Sequence, residues 1–131
     1  MNIFRLKDRI NYFIKAKNEH SIHSPFMFEL YCKTIKKNRR NPNQIINKLI
    51  EEFGEENILH INPSSKELEN LSSKINHKSI IIIKEPHCSQ SSLEEYRKII
   101  LQPKLIVNVD LYNIGISFCN TKLKRQNYTL K

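Results

Sequence analysis

Apolar side chains recur every three or four positions at Ile3, Leu6, Ile10, Phe13 and Ile14, with Arg5, Lys7, Asp8, Arg9 and Asn11 between them. That spacing predicts an amphipathic helix over residues 3–16. Ser24 precedes Pro25-Phe26-Met27-Phe28-Glu29-Leu30, and a capping serine followed by proline predicts a second helix from Pro25 to about Lys37. Its aromatic residues Phe26, Phe28 and Tyr31 fall on the apolar stripe and are expected in the core. Asn41-Pro42 repeats the start signal, and Ile45, Ile46, Leu49, Ile50 and Phe53 continue a stripe that stops at Gly54.

After Gly54 the period changes. Asn57 to Pro63 reads as a short strand closed by a turn, and Ser64-Ser65-Lys66-Glu67 as a capping box opening a helix through Leu68, Leu71 and Ile75. Ser79 to Ile83 is apolar on both faces, as in an interior parallel strand. Ser91-Ser92-Leu93-Glu94-Glu95 opens another helix, through Ile99, Ile100 and Leu101. Leu105 to Tyr112 is a third strand, Ile114 to Phe118 a fourth that continues or reverses it, and Tyr128-Thr129-Leu130 a short final one. Alternating strands and helices imply an α/β fold, with N-terminal helices followed by a small, mostly parallel sheet of four or five strands and an antiparallel C-terminal end. A single domain is expected over residues 1–131, made of a helical cap (1–54) and a sheet part (55–131).

Composition narrows the function classes. At 131 residues there is room for one core. The longest apolar run, Ile80 to Ile83, is far short of the roughly 20 residues that span a bilayer. The N-terminus alternates charge with apolar residues and so lacks the continuous apolar core of a signal peptide. Three cysteines (Cys32, Cys88, Cys119) at no disulfide or zinc-framework spacing suit a reducing compartment, and a cytoplasmic location without membrane is expected. Only Gly54 and Gly115 occur, which excludes the glycine-rich dinucleotide loop and the P-loop.

The net charge of +9 invites a nucleic-acid partner. The 20 Ile, 16 Lys and 15 Asn against 6 Arg also fit an AT-rich coding bias, so the charge is functional or compositional. Residues 1–48 carry 11 Lys/Arg and 3 Asp/Glu, residues 49–96 carry 4 and 9, and residues 97–131 carry 7 and 1. Basic ends around an acidic middle attract one another within the chain. The densest basic run, Lys33, Lys36, Lys37, Arg39 and Arg40, closes the second predicted helix, where it suits the dipole and a solvated surface.

Individual residues suggest several chemistries. His20 and His23 are three apart, as metal ligands are, but no nearby acid or cysteine completes a set, and no metal is expected. With Ser21 and Ser24 they can instead hydrogen-bond the turn between the first two helices. His87-Cys88-Ser89 places an imidazole beside a thiol, although sequence neighbours seldom point together. Glu85 follows Asn62 by 23 residues at the end of the next strand, where a nucleotide-binding unit holds its ribose-binding carboxylate.

Two stretches resemble a known family. His20-Ser21-Ile22-His23-Ser24-Pro25-Phe26-Met27-Phe28 is similar to the H-S-x-H-S-P-F-x-[FY] segment near the start of bacterial class I SAM-dependent methyltransferases of the O-methyltransferase type. Ile80 to Ser89, Glu94 to Tyr96 and Val107 to Ile116 resemble that group's late sheet, with His87, Ser89, Asp110, Leu111 and Gly115 on matching positions. Together they cover roughly half the chain. The resemblance implies a Rossmann-like frame, a substrate pocket lined by His20, His23 and Ser24, and catalytic roles for Glu85 as base and His87 near the substrate. It also implies a seven-stranded sheet and a glycine-rich turn that cradles SAM. Here the turn is Asn62-Pro63-Ser64-Ser65, the family's acidic pair reads Lys84-Glu85, and the chain is short for seven strands. The expectation is therefore a truncated, methyltransferase-like binding or partner protein without catalysis. It would pair with a protein or with itself through an exposed sheet edge, with no cofactor, or SAM if the family activity is retained. An active O-methyltransferase on a small hydroxylated substrate and a basic nucleic-acid-binding module are the alternatives.

Overall fold

The computed structural model describes residues 3–17 and 22–130. Three helix starts use the caps expected from the sequence, Ser24, Asn41 and Ser64, while the helix expected to open at Ser91-Ser92 opens two residues earlier, capped by Ser89. Helix α1 spans Ile3–Lys15. Ser24 Oγ accepts from Met27 N at the head of α2 (Pro25–Leu30), which continues through a π-helical turn (Tyr31–Ile35) and a 3-10 turn (Lys36–Asn38). Asn41 Oδ1 accepts from Gln44 N to open α3 (Pro42–Phe53), and Gly54, at φ 92°, lets the chain leave. Ser64 caps α4 (Ser65–Asn70), and Ser89 caps α5 (Gln90–Ile99) through Ser92 N.

The strands are β1 (Ile58–Ile61), β2 (Ile80–Lys84), β3 (Val107–Asp110), β4 (Ile114–Phe118) and β5 (Gln126–Thr129). They form one mixed sheet in the order β1-β2-β4-β3-β5. β1 and β2 are parallel, with Ile58 opposite Ile80. β4 reverses after β3 in a tight turn and lies antiparallel to both β2 and β3, with Ile82 and Val109 each opposite Ile116. β5 returns parallel to β3. Four strands thus point one way, and the single reversed strand sits inside the sheet. The turn explains this placement: Tyr112 takes φ 73°, its N–H donates to Asp110 Oδ1, and Leu111 N–H donates to Ile114 O, so the chain folds straight back into the slot beside β2.

Both faces of the sheet are covered, which is why Ile80 to Ile83 of β2 are all buried, with Lys84 exposed at the strand end. Ile80 and Ile82 join Met27, Tyr31, Ile35, Ile45 and Leu49 from the α2 and α3 side. Ile81 and Ile83 meet Leu68 of α4 and Leu93, Tyr96 and Ile99 of α5. Of the aromatic residues expected inside, Tyr31 is buried, Phe26 packs half-buried on Phe53 and Phe118, and Phe28 is exposed. Gly115 is required on β4, because a Cβ there would stand 2.7 Å from Tyr96 Cε1. Arg125 donates to Ile100 O and Leu105 O, so a guanidinium closes the last turn of α5. No described helix is long and apolar enough to cross a membrane.

α1 does not dock as its apolar stripe suggests. Ile3 (84% exposed), Ile14 (76%) and Phe13 (59%) face outward with Leu6 and Ile10, while Asp8, Tyr12 and Ala16 are buried. The polar face wins because it meets specific hydrogen-bond partners at the ends of the strands.

Candidate functional site

In open α/β sheets ligands bind outside the carboxyl ends of the strands. β2 and β3 point the same way, so the segments that follow them, Glu85 to Ser89 and Leu111 to Asn113, share that end. α1 crosses it. Phe4 packs against the cluster on the α5 side. At the other end, Lys17 N–H donates to Thr129 O and Lys17 bridges to Leu130 beside β5.

His87 is the centre of the arrangement. Its Nδ1 lies 2.7 Å from Asp8 Oδ2 on α1, and its Nε2 lies 2.6 Å from Asp110 Oδ2 at the end of β3. The ring is 5% exposed and Asp8 is 8% exposed. Burial alone pulls the imidazole pKa down, but the hydrogen bonds and charges of Asp110 and Asp8 together outweigh it, and the net shift is upward. The favoured form is an imidazolium donating to a carboxylate on each side. Neither ring nitrogen is left to take a proton from a substrate.

Tyrosines and arginines enclose this triad. Tyr112 stacks on the His87 ring at 4.6 Å, and the Arg9 guanidinium lies over the Tyr112 ring at 5.6 Å. Tyr12 meets both rings edge-on. The Tyr12 hydroxyl donates to Leu130 O and also lies 3.1 Å from Asp110 O, while it accepts from Arg39 Nη2 at 3.0 Å. Burial pushes the Tyr12 hydroxyl well above the ordinary phenol range. Arg39, within the basic run, is therefore half-buried and tied down by Tyr12 and Leu130 O.

The residues singled out in the sequence are scattered. Glu85 is exposed at φ 41°, held by its N–H to Asn113 O and its carbonyl to Cys88 N–H. It lines a hollow of about 330 Å³ with Pro42 and Ile46 of α3, whereas the His87 ring is directed to Asp8 and Asp110. His23 is exposed, Ser24 serves as the α2 cap, and His20 lies outside the described residues. Cys88 Sγ sits 3.1 Å from Ser92 Oγ, while both His87 nitrogens are engaged elsewhere. At the turn after β1, Asn62 N–H donates to Glu67 Oε1 and Ser64 Oγ accepts from Glu67 N, so the capping box absorbs the turn's polar groups. Ser65 Oγ donates to Glu95 of α5. No group of three or more potential metal ligands is assembled among the described residues.

Sequence reasoning missed Asp8, Tyr12 and Arg39. The available signal was the i, i+4 pairing of Asp8 and Tyr12 on one helix face, which the more obvious apolar stripe overshadows.

No family model, curated protein or solved structure matches the chain.

Proposed function

We propose that this chain is a non-catalytic, methyltransferase-like protein that works by binding a partner. One observation carries the reading. The carboxyl end of the sheet, where an α/β enzyme holds its ligand, is occupied by the chain's own helix α1 and bonded shut through Asp8, His87 and Asp110. The turn after β1 supports it, since Asn62 N–H and Ser64 Oγ are already engaged by Glu67. β1 lies at one edge of the sheet and pairs with β2 alone, which leaves a strand edge for a protein partner or a second copy. The O-methyltransferase reading, with Glu85 as base, requires α1 to withdraw and His87 to release a carboxylate.

Calorimetric titration with SAM and with its demethylated product tests the proposal. No heat of binding is expected at several temperatures. Micromolar binding of either compound would overturn it and make Glu85 and His87 the first residues to substitute.

A further inference from the structure

We propose that the outward face of α1, with the arginine hollow beside it, docks on an anionic lipid surface. The inference is independent of whether the strand ends bind SAM.

At 3.6 residues per turn, Ile3, Leu6, Ile10, Phe13 and Ile14 occupy an arc about 100° wide. All five are exposed. Lys7 borders this arc on one side and Arg9 on the other. The only acid of α1 is Asp8, and it is turned inward to His87. The helix thus presents solvent with apolar and cationic side chains and no carboxylate, the pattern of a helix lying in the plane of a membrane interface.

A second observation fixes the sign of the occupant. Arg9, Arg39 and Arg40 converge with Tyr12, Phe13 and Tyr112 on a hollow of about 490 Å³, which no carboxylate lines among the described residues. Arg39 is anchored there by Tyr12 and Leu130 O, and its buried Nε has no hydrogen-bond partner. Phe13 belongs to both the hollow and the exposed stripe. A lipid phosphate in the hollow therefore places acyl chains against Phe13, Ile10 and Ile14, and the two features read one amphiphile. A second copy fits less well, because two α1 faces brought together would oppose Lys7 and Arg9 with their own kind on a chain of net charge +9.

The test is flotation of the full chain with vesicles of phosphatidylcholine alone and of phosphatidylcholine mixed with phosphatidylglycerol. The chain is expected to float with the mixed vesicles, not with the neutral ones, and to be released by salt. Arg40→Ala, at an exposed position, should weaken the association roughly fivefold. Ile10→Ser combined with Phe13→Ser should weaken it about tenfold or more. Unchanged circular dichroism in these variants keeps the reading separate from unfolding. Equal flotation on both vesicle types, no flotation, or full flotation of the serine variant overturns the proposal. It is also overturned if calorimetry finds inorganic phosphate bound while vesicles are ignored, or if the chain ignores vesicles and forms a dimer that Phe13→Ser dissolves.

Discussion

Removing either carboxylate leaves one buried ring nitrogen of His87 without its hydrogen-bond acceptor. Asp8→Asn is expected to cost about 1–3 kcal/mol in denaturant unfolding, because one buried ring N–H loses its carboxylate acceptor while Asp110 still faces the other nitrogen. His87→Ala should cost more, about 3–5 kcal/mol, by leaving the Asp8 and Asp110 carboxylates without the cation between them. The pH dependence has a definite sign. The folded-state pKa of His87 is raised above its ordinary value of 6.5, so the folded chain binds more protons than the unfolded chain between the two values. The stabilisation is complete below the ordinary histidine range and fades as pH rises through the raised value. Asp8, Asp110 and the rings of Tyr12, Tyr96 and Tyr112 surround the imidazole, and the tyrosines titrate only at higher pH. Denaturant midpoints measured from mildly acidic to mildly alkaline pH should fall in the wild type and stay flat in His87→Gln across that window. His87 and Asp110 were within reach of the sequence, since both fall on positions of the family resemblance. Asp8 was not, because an aspartate between Lys7 and Arg9 reads as solvated charge unless its distant partner is known.

At the scale of elements, the caps and strands follow from local signals. Ser24-Pro25, Asn41-Pro42, Ser64 to Glu67 and Gly54 each do what their chemistry favours. The orientation of α1 and the order of the strands depend on long-range pairing and could not be read locally. A polar ladder helps hold that order: Ser117 Oγ on β4 donates to Asn108 Oδ1 on β3, and Asn108 Nδ2 donates to Asn127 Oδ1 on β5. Asn108→Ala removes the rung, and the unpaired groups left behind should cost about 1–3 kcal/mol. Gly115→Ala drives a methyl group into Tyr96 and should also cost about 1–3 kcal/mol through overpacking. Phe13→Ser, by contrast, should shift stability by no more than about 0.5 kcal/mol, because its side chain is on the outside. Thermal and denaturant melts check all three variants, and the Phe13→Ser melt separates the inward from the outward reading of α1.

At the scale of the whole molecule, the carboxyl end of an α/β sheet is closed by α1 of the same chain. The fold class was legible because β-branched runs alternate with capped helices. The closure was not, because it joins residues about 80 and 100 positions apart, Asp8 to His87 and Tyr12 to Asp110. Closure also turns the apolar stripe of α1 outward, so the inward clamp and the outward docking face are two consequences of one helix orientation. The most direct measurement is nitrogen-15 NMR of the His87 imidazole across pH. The expected result is two protonated ring nitrogens at neutral pH, persisting above the ordinary histidine range and lost in Asp8→Asn. A neutral single tautomer at neutral pH, titrating as a free histidine and unaffected by Asp8→Asn, would contradict the closed strand ends.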